Sequence, residues 1–456
     1  MSPAARCSRA PASGRSWRGA LRDDLPAGGP RRLSRPYHAL RHPDFRRLWL
    51  AQLVSQTGSA MQVVAINWHV YLLTKSPLAL GFVGLTRVLP IVVFSLWGGV
   101  LADRADRRRV MFVSQSSMTA VSVALAVVAF LRRDSVAVIY VLNAVQACAT
   151  SFDNPARQAL IPRLVPIANL PGALALNLTM FQAATIAGPA FAGALLAGLG
   201  SLSWFEGDAG ASAVGVLYAL NAVSFLFVLG ALARIRTSTA PEQVDGPREA
   251  PVAALLSGLR FVFTTPMMVW TMGLDFVATF FSGAMSLLPI VADQVLHVGP
   301  AGYGWLAAAP ATGALLGSLY TSVRPLPRRQ GVLLLWAVAA YGIATIVYGL
   351  SRSFLLTFVA LACTGLADVV STVIRQTLRQ LITPDALRGR MTSVNMIFFL
   401  GGPQLGELEA GFVASRFASV VLGVTVSIVA GGTITLLAVA AIAVATPLVR
   451  RYEGPG

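Results

Sequence analysis

Apolar runs long enough to cross a bilayer recur along almost the whole chain, and this feature restricts the fold more than any other. A spanning helix needs roughly 20 apolar residues. Twelve such runs are predicted, near residues 45–73, 78–102, 110–131, 135–157, 171–199, 212–233, 267–292, 301–322, 331–350, 354–378, 389–415 and 419–448. Composition agrees: of 456 residues, 55% are hydrophobic and 12% charged, where a soluble domain carries about 25% charged. That excludes an ordinary soluble enzyme and a disordered or nucleic-acid-coating protein. The expected fold is an all-α polytopic membrane protein.

The net charge of +17 then reads as topology. Of the 36 basic residues, all but Lys75 are Arg. With the N-terminus in the cytosol, Lys75, Arg132, Arg133, Arg352 and Arg416 fall on the far side and Arg87 within the second span. The other 30 lie on cytosolic tails, loops and helix ends, the asymmetry expected of positive-inside insertion. Both termini are therefore expected in the cytosol of a bacterial cell, the chain crossing the inner membrane with lipid as its main surroundings and no nucleic-acid partner. Residues 1–43 read as a disordered basic cytosolic tail and 449–456 as a short cytosolic tail. Residues 234–254, with Pro, Glu, Asp and Thr, read as a cytosolic linker between a half at 44–233 and a half at 255–448. Val252 to Phe263 has the look of a short interfacial helix. Cys7, Cys148 and Cys363 suggest neither a metal site nor a redox pair.

The two halves repeat. An ungapped offset of 218 residues places Gly81 on Gly299, Gly84 on Gly302, Gly99 on Gly317, Arg157-Gln158 on Arg375-Gln376, Pro166 on Pro384, Asn177 on Asn395, and Gly188 and Gly193 on Gly406 and Gly411. Two six-helix halves of the same topology imply a pseudo-twofold axis along the membrane normal, with a site between them at the midplane.

The stretch Gly99-Val100-Leu101-Ala102-Asp103-Arg104-Ala105-Asp106-Arg107-Arg108-Arg109, between spans 2 and 3, resembles the cytoplasmic loop signature of the major facilitator superfamily, with Asp106 where the signature has a second Gly. FRRLWLAQLVSQ at 45–56, FDNPARQALIPRLVP at 152–166, GLRFV at 258–262 and LRGRM at 387–391 are similar to its enterobactin-exporter-like branch, which includes proton-driven drug and siderophore exporters. The resemblance runs over about residues 38–450. It implies twelve transmembrane helices in two pseudo-symmetric halves. It also implies a cytosolic gate of Gly99, Asp103, Arg104, Arg107, Arg108, Asp153 and Arg157, with Asp103 against the start of span 11 and Arg104 or Arg107 paired with Asp153. Ala184, Gly188-Pro189 and Gly193 in span 5 resemble an antiporter signature, and Gly402-Pro403 and Gly406 repeat the idea in span 11. Small residues four apart serve equally as a packing face.

Ionisable residues inside a bilayer are costly, so they are paired or functional. Here they fall on spans 2, 4, 7, 10 and 11 and on none of spans 3, 6, 9 or 12. Helical spacing lines up Gln52 and Gln56 on span 1, Asn143, Gln146, Thr150, Asp153 and Arg157 on span 4, Asp275, Thr279, Ser282 and Ser286 on span 7, and Thr364, Asp368, Thr372 and Arg375 on span 10. With Asn177 and Asn395, these are the cavity and substrate candidates, although any Ser or Thr among them can instead bond its own helix. Arg87 keeps its charge when buried, which fits an ion pair, a gate or substrate contact. Asp275, Asp368, Glu407 and Glu409 are the proton-coupling candidates: a carboxylate in a low-dielectric site holds a proton that an approaching cation displaces. Glu407 and Glu409 are two residues apart, so only one of them faces the cavity.

Catalytic motifs are missing: the sole Lys is preceded by Thr74, which rules out a phosphate-binding G-x-x-x-x-G-K-[ST] loop, and no G-x-S-x-G elbow occurs. His38 and His42 lack the acidic residue of a zincin helix, and no partner is visible for His69 or His297. No metal and no cofactor are called for. The expectation is a monomeric non-enzyme that exports a hydrophobic or amphipathic small molecule in exchange for protons. Metabolite uptake or exchange is the alternative on this fold. A non-transporting sensor or scaffold is a third reading, disfavoured by the intramembrane carboxylates.

Overall fold

The computed structural model describes residues 36–200, 209–235, 251–323, 327–384 and 387–453; side chains at 36–37, 95–104, 209–211, 251–255, 258, 388–390, 392–393, 396–397 and 399–400 are outside the described set. The sequence-stretches 1–35 and 236–250, which hold most of the basic tail and the linker, also lie outside it. Twelve long helices follow one another: α1 (Pro43–Thr74), α2 (Pro77–Arg104), α3 (Arg107–Phe130), α4 (Val136–Leu164), α5 (Leu170–Gly200), α6 (Ala209–Arg234), α7 (Pro266–Val295), α8 (Gly299–Val323), α9 (Gln330–Leu350), α10 (Phe354–Ile382), α11 (Arg388–Ala414) and α12 (Val420–Ala445). A separate helix, Pro251–Thr264, leads into α7. No strand occurs among the described residues.

Among the described residues, all of these but α1 and α11 are apolar enough to cross a membrane by length and composition. α1 carries Gln52, Gln56, Gln62, Asn67 and His69 along an otherwise apolar helix. Helices α4 and α10 run further than their apolar runs predict, to Leu164 and Ile382. Their arginine-bearing last turns continue the intrahelical hydrogen bonding that lipid demands of any backbone. Local chemistry sets the ends: Pro43 opens α1 at a position where a missing N–H costs nothing. Asp106, at the site of the missing loop Gly, is the N-cap of α3 and accepts from the Arg108 N–H at 2.9 Å.

Helix α7 is not one regular span. It breaks after Phe281 at Ser282 and Gly283, continues as a 3-10 turn over Ala284–Leu287, and ends in a π turn over Val291–Val295.

The two halves pack alike. In the first, α1 lies against α5 and α6, α2 against α4, and α3 against α4 and α6. In the second, α7 lies against α11 and α12, α8 against α10, and α9 against α10 and α12. Every pair recurs six helices later, which is the repeat read in three dimensions. The halves meet along two seams, α2 with α11 and α5 with α8. At each seam glycines let the backbones close in. A Cβ on Gly81 would lie 3.3 Å from the Gly411 Cα, and one on Gly193 would lie 2.7 Å from the Gly304 Cα.

One apolar cluster joins both halves at the end opposite the arginine-rich one: Trp68, Tyr71, Leu80 and Leu196 meet Leu288, Val291, Tyr303 and Ala410 there. At the arginine-rich end the clusters are separate, Phe45, Leu160 and Leu232 in the first half, and Leu274, Ile374 and Leu378 or Met268, Met391 and Val394 in the second. The bundle is thus closed at one end. Outward-facing Val113, Phe227, Trp336, Leu437 and other large exposed apolar side chains form the lipid-facing surface.

A Cβ on Gly313 would collide with the Ala362 carbonyl of α10, whereas a Cβ on the exposed Gly273 would meet nothing within 4 Å among the described residues. Gly313→Leu should lower stability by about 1–3 kcal/mol through overpacking, whereas Gly273→Leu should leave thermal unfolding in detergent unchanged. Unfolding followed by differential scanning fluorimetry checks both.

Candidate functional site

The densest charged cluster lies between α7 and α10. Arg375 forms a close ion pair with Asp275 of α7, and its Nη2 lies 3.6 Å from Asp368 Oδ1, two turns earlier on α10. Arg375 also donates to the Thr372 hydroxyl at 2.9 Å and to the Ser371 carbonyl at 3.3 Å. The side chains of Arg375 and Asp275 are 9% and 17% exposed, that of Asp368 42%. Thr271, Met272, Gln376, Arg379, Asn395 and Phe398 complete the walls of an adjoining cavity of about 80 Å³. Organic ligands need about 300–1,000 Å³, so this cavity suits water or a small ion and is not itself a substrate chamber.

The first half answers with the same arginine and different partners. Arg157, equivalent to Arg375 in the repeat, donates to Gln52 Oε1 of α1 at 3.2 Å and to Asn154 Oδ1 at 2.6 Å. Gln56 in turn donates to Gln52 at 3.3 Å. Thr57 and Thr150 stand at the positions equivalent to Asp275 and Asp368. One half therefore holds its arginine with amides and the other holds it with two carboxylates.

Other site residues predicted from sequence have structural partners. Asp153 is 3% exposed and accepts from Gln115 Nε2 of α3 at 2.9 Å. Arg107 donates to the Ala159 carbonyl at 3.4 Å. The expected Arg107–Asp153 pair is thus replaced by two bonds inside the first half, since Gln115 from neighbouring α3 occupies the carboxylate. Arg108 donates to the carbonyls of Ala233 and Ile235, closing the end of α6. The side chains of Gly99, Asp103 and Arg104 lie outside the described residues.

Asn143, 4% exposed, bonds the Val83 carbonyl and the Thr86 hydroxyl of α2 at 3.2 and 2.9 Å, so it joins two helices and does not face the gap. Ser282 faces α12, where its hydroxyl meets that of Thr435 at 2.9 Å. The break in α7 turns it off the face that regular helical spacing predicts. Thr279 bonds back to the Asp275 carbonyl at 2.8 Å. The Gln146 Oε1 is buried without a partner among the described residues. Asn177 is half-buried on α5, and Asn395 lines the cavity.

Glu407, not Glu409, faces the seam. Its carboxylate covers Gly84 of α2, where a Cβ would lie 2.7 Å from Oε2, and it is the counter-charge that Arg87 feels one turn along. Arg87 and Glu407 form no ion pair within 4.0 Å among the described residues, so they interact across a gap. The small residues of spans 5 and 11 serve packing: Gly188 sits against Ala60 and Thr57 of α1, Gly193 and the Pro189 carbonyl against Gly304 of α8, Gly402 against Thr279, Pro403 beside Gly283, and Gly406 against the Phe280 carbonyl of α7.

Sequence reading missed the polar network around His69. His69 is 1% exposed and bonds Asp134 Oδ2 through Nε2 at 3.1 Å and the Tyr218 hydroxyl through Nδ1 at 3.2 Å. Its partners sit 65 and 149 residues away, on the α3–α4 loop and on α6, and no local pattern points to them.

Removing Arg375 would leave two carboxylates without their cation, whereas removing Arg157 leaves two amide acceptors and the more distant Asp153, which Gln115 still holds. Arg375→Gln should therefore destabilise by about 3–5 kcal/mol, the loss typical of a broken buried pair, and Arg157→Gln by clearly less. Arg375→Gln with Asp275→Asn should recover much of the loss in the same thermal assay.

Residues 34–453 match the family model described as transmembrane secretion effector. The chain is 29% identical over 399 residues to the enterobactin exporter EntS of Shigella boydii, covering 85% of this chain and 92% of that one. It is 28% identical over the same length to EntS of Escherichia coli O1:K1. Among solved structures it resembles a bacterial homologue of the human lysosomal transporter Spinster, in an inward-facing, unoccupied conformation, with a TM-score of 0.68 and 18% identity over 87% of this chain and 96% of that one. The nucleoside transporter NupG gives a TM-score of 0.65 at 12% identity, covering 88% and 98%. These likenesses extend the twelve-helix, two-half layout to a fold of secondary transporters, and the chain is a multi-pass membrane protein of the transmembrane secretion effector family within the major facilitator superfamily.

Proposed function

We propose that this secondary transporter exports an amphipathic small molecule of the siderophore or drug class across the bacterial inner membrane, in exchange for protons. The observation that carries this reading is the Asp275–Arg375–Asp368 cluster beside a water-sized cavity at the end where the halves are apart. Its chemistry suits coupling. Arg375 stays charged and its contact with Asp275 is tight, so Asp275 serves to hold the arginine. Asp368 is the looser and more exposed partner, and it can take up a proton without breaking that pair. Deprotonation frees Asp368 to attract Arg375 or a cationic group of the substrate, and this competition lets one site exchange proton and cargo.

The arginine-rich end is assigned to the cytosol by positive-inside insertion. The structure then corresponds to the inward-facing state, and the two glycine seams are the surfaces on which the halves rock. The enterobactin exporters to which the chain is similar support export and a siderophore-class cargo. Each proton entering contributes about 2.3 kcal/mol per 100 mV of membrane potential.

The test is efflux in cells lacking their own exporters, with secreted catecholate siderophore and retained ethidium as readouts, with and without a protonophore. Wild type should restore protonophore-sensitive efflux of at least one probe. Asp368→Asn should abolish net efflux driven by a proton gradient while leaving gradient-independent exchange of labelled substrate in proteoliposomes. Asp275→Asn should impair both. Proton-gradient-driven efflux surviving in Asp368→Asn would overturn its coupling role, and probe accumulation raised by the wild type would reverse the assigned direction.

A further inference from the structure

The closed end of the bundle carries a polar contact between the halves for which the transport scheme above has no role. Tyr71, near the end of α1, donates its phenol hydroxyl to Asp293 Oδ2 in the last turn of α7 and accepts from Gln294 Nε2 at 3.2 Å. Lys75 Nζ lies 3.7 Å from the same Asp293 oxygen and 4.0 Å above the centre of the Tyr71 ring. One turn deeper, Trp68 of α1 stacks on Tyr303 of α8 with centroids 5.4 Å apart and planes at 22°. Tyr71 is fully buried, while the side chains of Lys75 and Asp293 are 52% and 40% exposed. An aromatic plug therefore lies beneath a polar clasp that faces outwards.

Two features separate this clasp from an ordinary surface pair. Lys75 is the only lysine among 36 basic residues, and it caps α1 with φ at 52°, the left-handed region. Glycine adopts that conformation without steric cost, so the lysine there is held against backbone preference. Asp293 lies within the π turn Val291–Val295, a distortion often found at functional positions, which here accompanies the presentation of Asp293 and Gln294 to Tyr71.

We infer that Tyr71, Lys75, Asp293 and Gln294 form the latch of an outer gate. The phenol–carboxylate bond holds α1 to α7 while the other end is open, and Lys75, 3.7 Å from the same oxygen, keeps the Asp293 carboxylate aimed at Tyr71. Release of this clasp is the step that lets the outer end part and the cargo leave. The inference rests on the rocking-halves reading given under Proposed function.

The test uses the full chain in right-side-out membrane vesicles, with Cys7, Cys148 and Cys363 replaced by Ser and Ser286→Cys as reporter. Ser286 is fully buried in the outer part of α7, its hydroxyl 3.4 Å from the Glu407 carbonyl. A membrane-impermeant maleimide applied from outside reads opening, normalised to labelling after denaturation. Tyr71→Phe and Asp293→Asn should each raise the labelling rate about five-fold, the population shift that loss of one hydrogen bond produces. Lys75→Glu should do the same, whereas Lys75→Arg, which keeps a cation beside Asp293, should label at the parent rate, which a merely structural role of Lys75 would not predict.

Gly193→Trp supplies the control, because a side chain there must wedge α5 from α8. Labelling raised by the wedge but not by the latch variants, or a Lys75→Arg variant that labels as fast as Lys75→Glu, would overturn the latch and leave the rocking reading standing. Labelling unmoved even by the wedge would overturn both.

Discussion

Close backbone contact at two glycine-lined seams is the constraint on which the rest of this molecule depends. Lipid tails are as apolar as leucine, so helices in a bilayer gain little from hiding apolar surface against one another and depend on van der Waals contact. The Gly81–Gly411 approach of α2 to α11 and the Gly193–Gly304 approach of α5 to α8 bring main chains close enough for that contact to accumulate. Because α2 corresponds to α8 and α5 to α11 in the repeat, the two seams are copies of one interface related by the pseudo-twofold axis. The apolar cluster shared by both halves gathers at one end of these seams, and the other end is left to charged and polar side chains.

Those charged side chains show how a duplicated scaffold diverged. Arg157 and Arg375 occupy the same place in each half. Amides surround the first, and two carboxylates bracket the second. A guanidinium hydrogen-bonded to neutral acceptors, with its nearest carboxylate, Asp153, held by Gln115, acts as a fixed brace. A guanidinium between one tight and one loose carboxylate can respond to a proton. The functional asymmetry of the fold is therefore built from few positions, with Thr57 and Thr150 in one half standing where Asp275 and Asp368 stand in the other.

The opposite end shows a complementary arrangement. Trp68, His69, Tyr71 and Lys75 lie within about two turns of one another: Trp68 contacts α8, His69 the α3–α4 loop and α6, and Tyr71 and Lys75 both contact α7. His69 secures α1 within its own half, while Trp68 and Tyr71 reach across to the other. Gln52, which accepts from Arg157, lies towards the other end of the same helix.

The sequence alone determined the helix count, the direction of each span relative to the others, the two-half repeat and the family, because hydrophobic length, arginine placement and paired Gly, Pro and Asn positions are local or periodic properties of a chain. It also picked out Asp275, Asp368 and Arg375, since charges inside apolar runs are conspicuous, and it left Glu407 and Glu409 unresolved because a spacing of two residues shows that they diverge without showing towards what. Only the tertiary structure decided that Glu407 meets the α2 seam, that Asp153 bonds Gln115 and not Arg107, that Ser282 turns to α12 at the break in α7, and that His69 and Tyr71 have partners up to 223 residues away. Those facts depend on which helix faces which, and helix faces are chosen by packing between distant segments, for which neither spacing nor composition carries a signal.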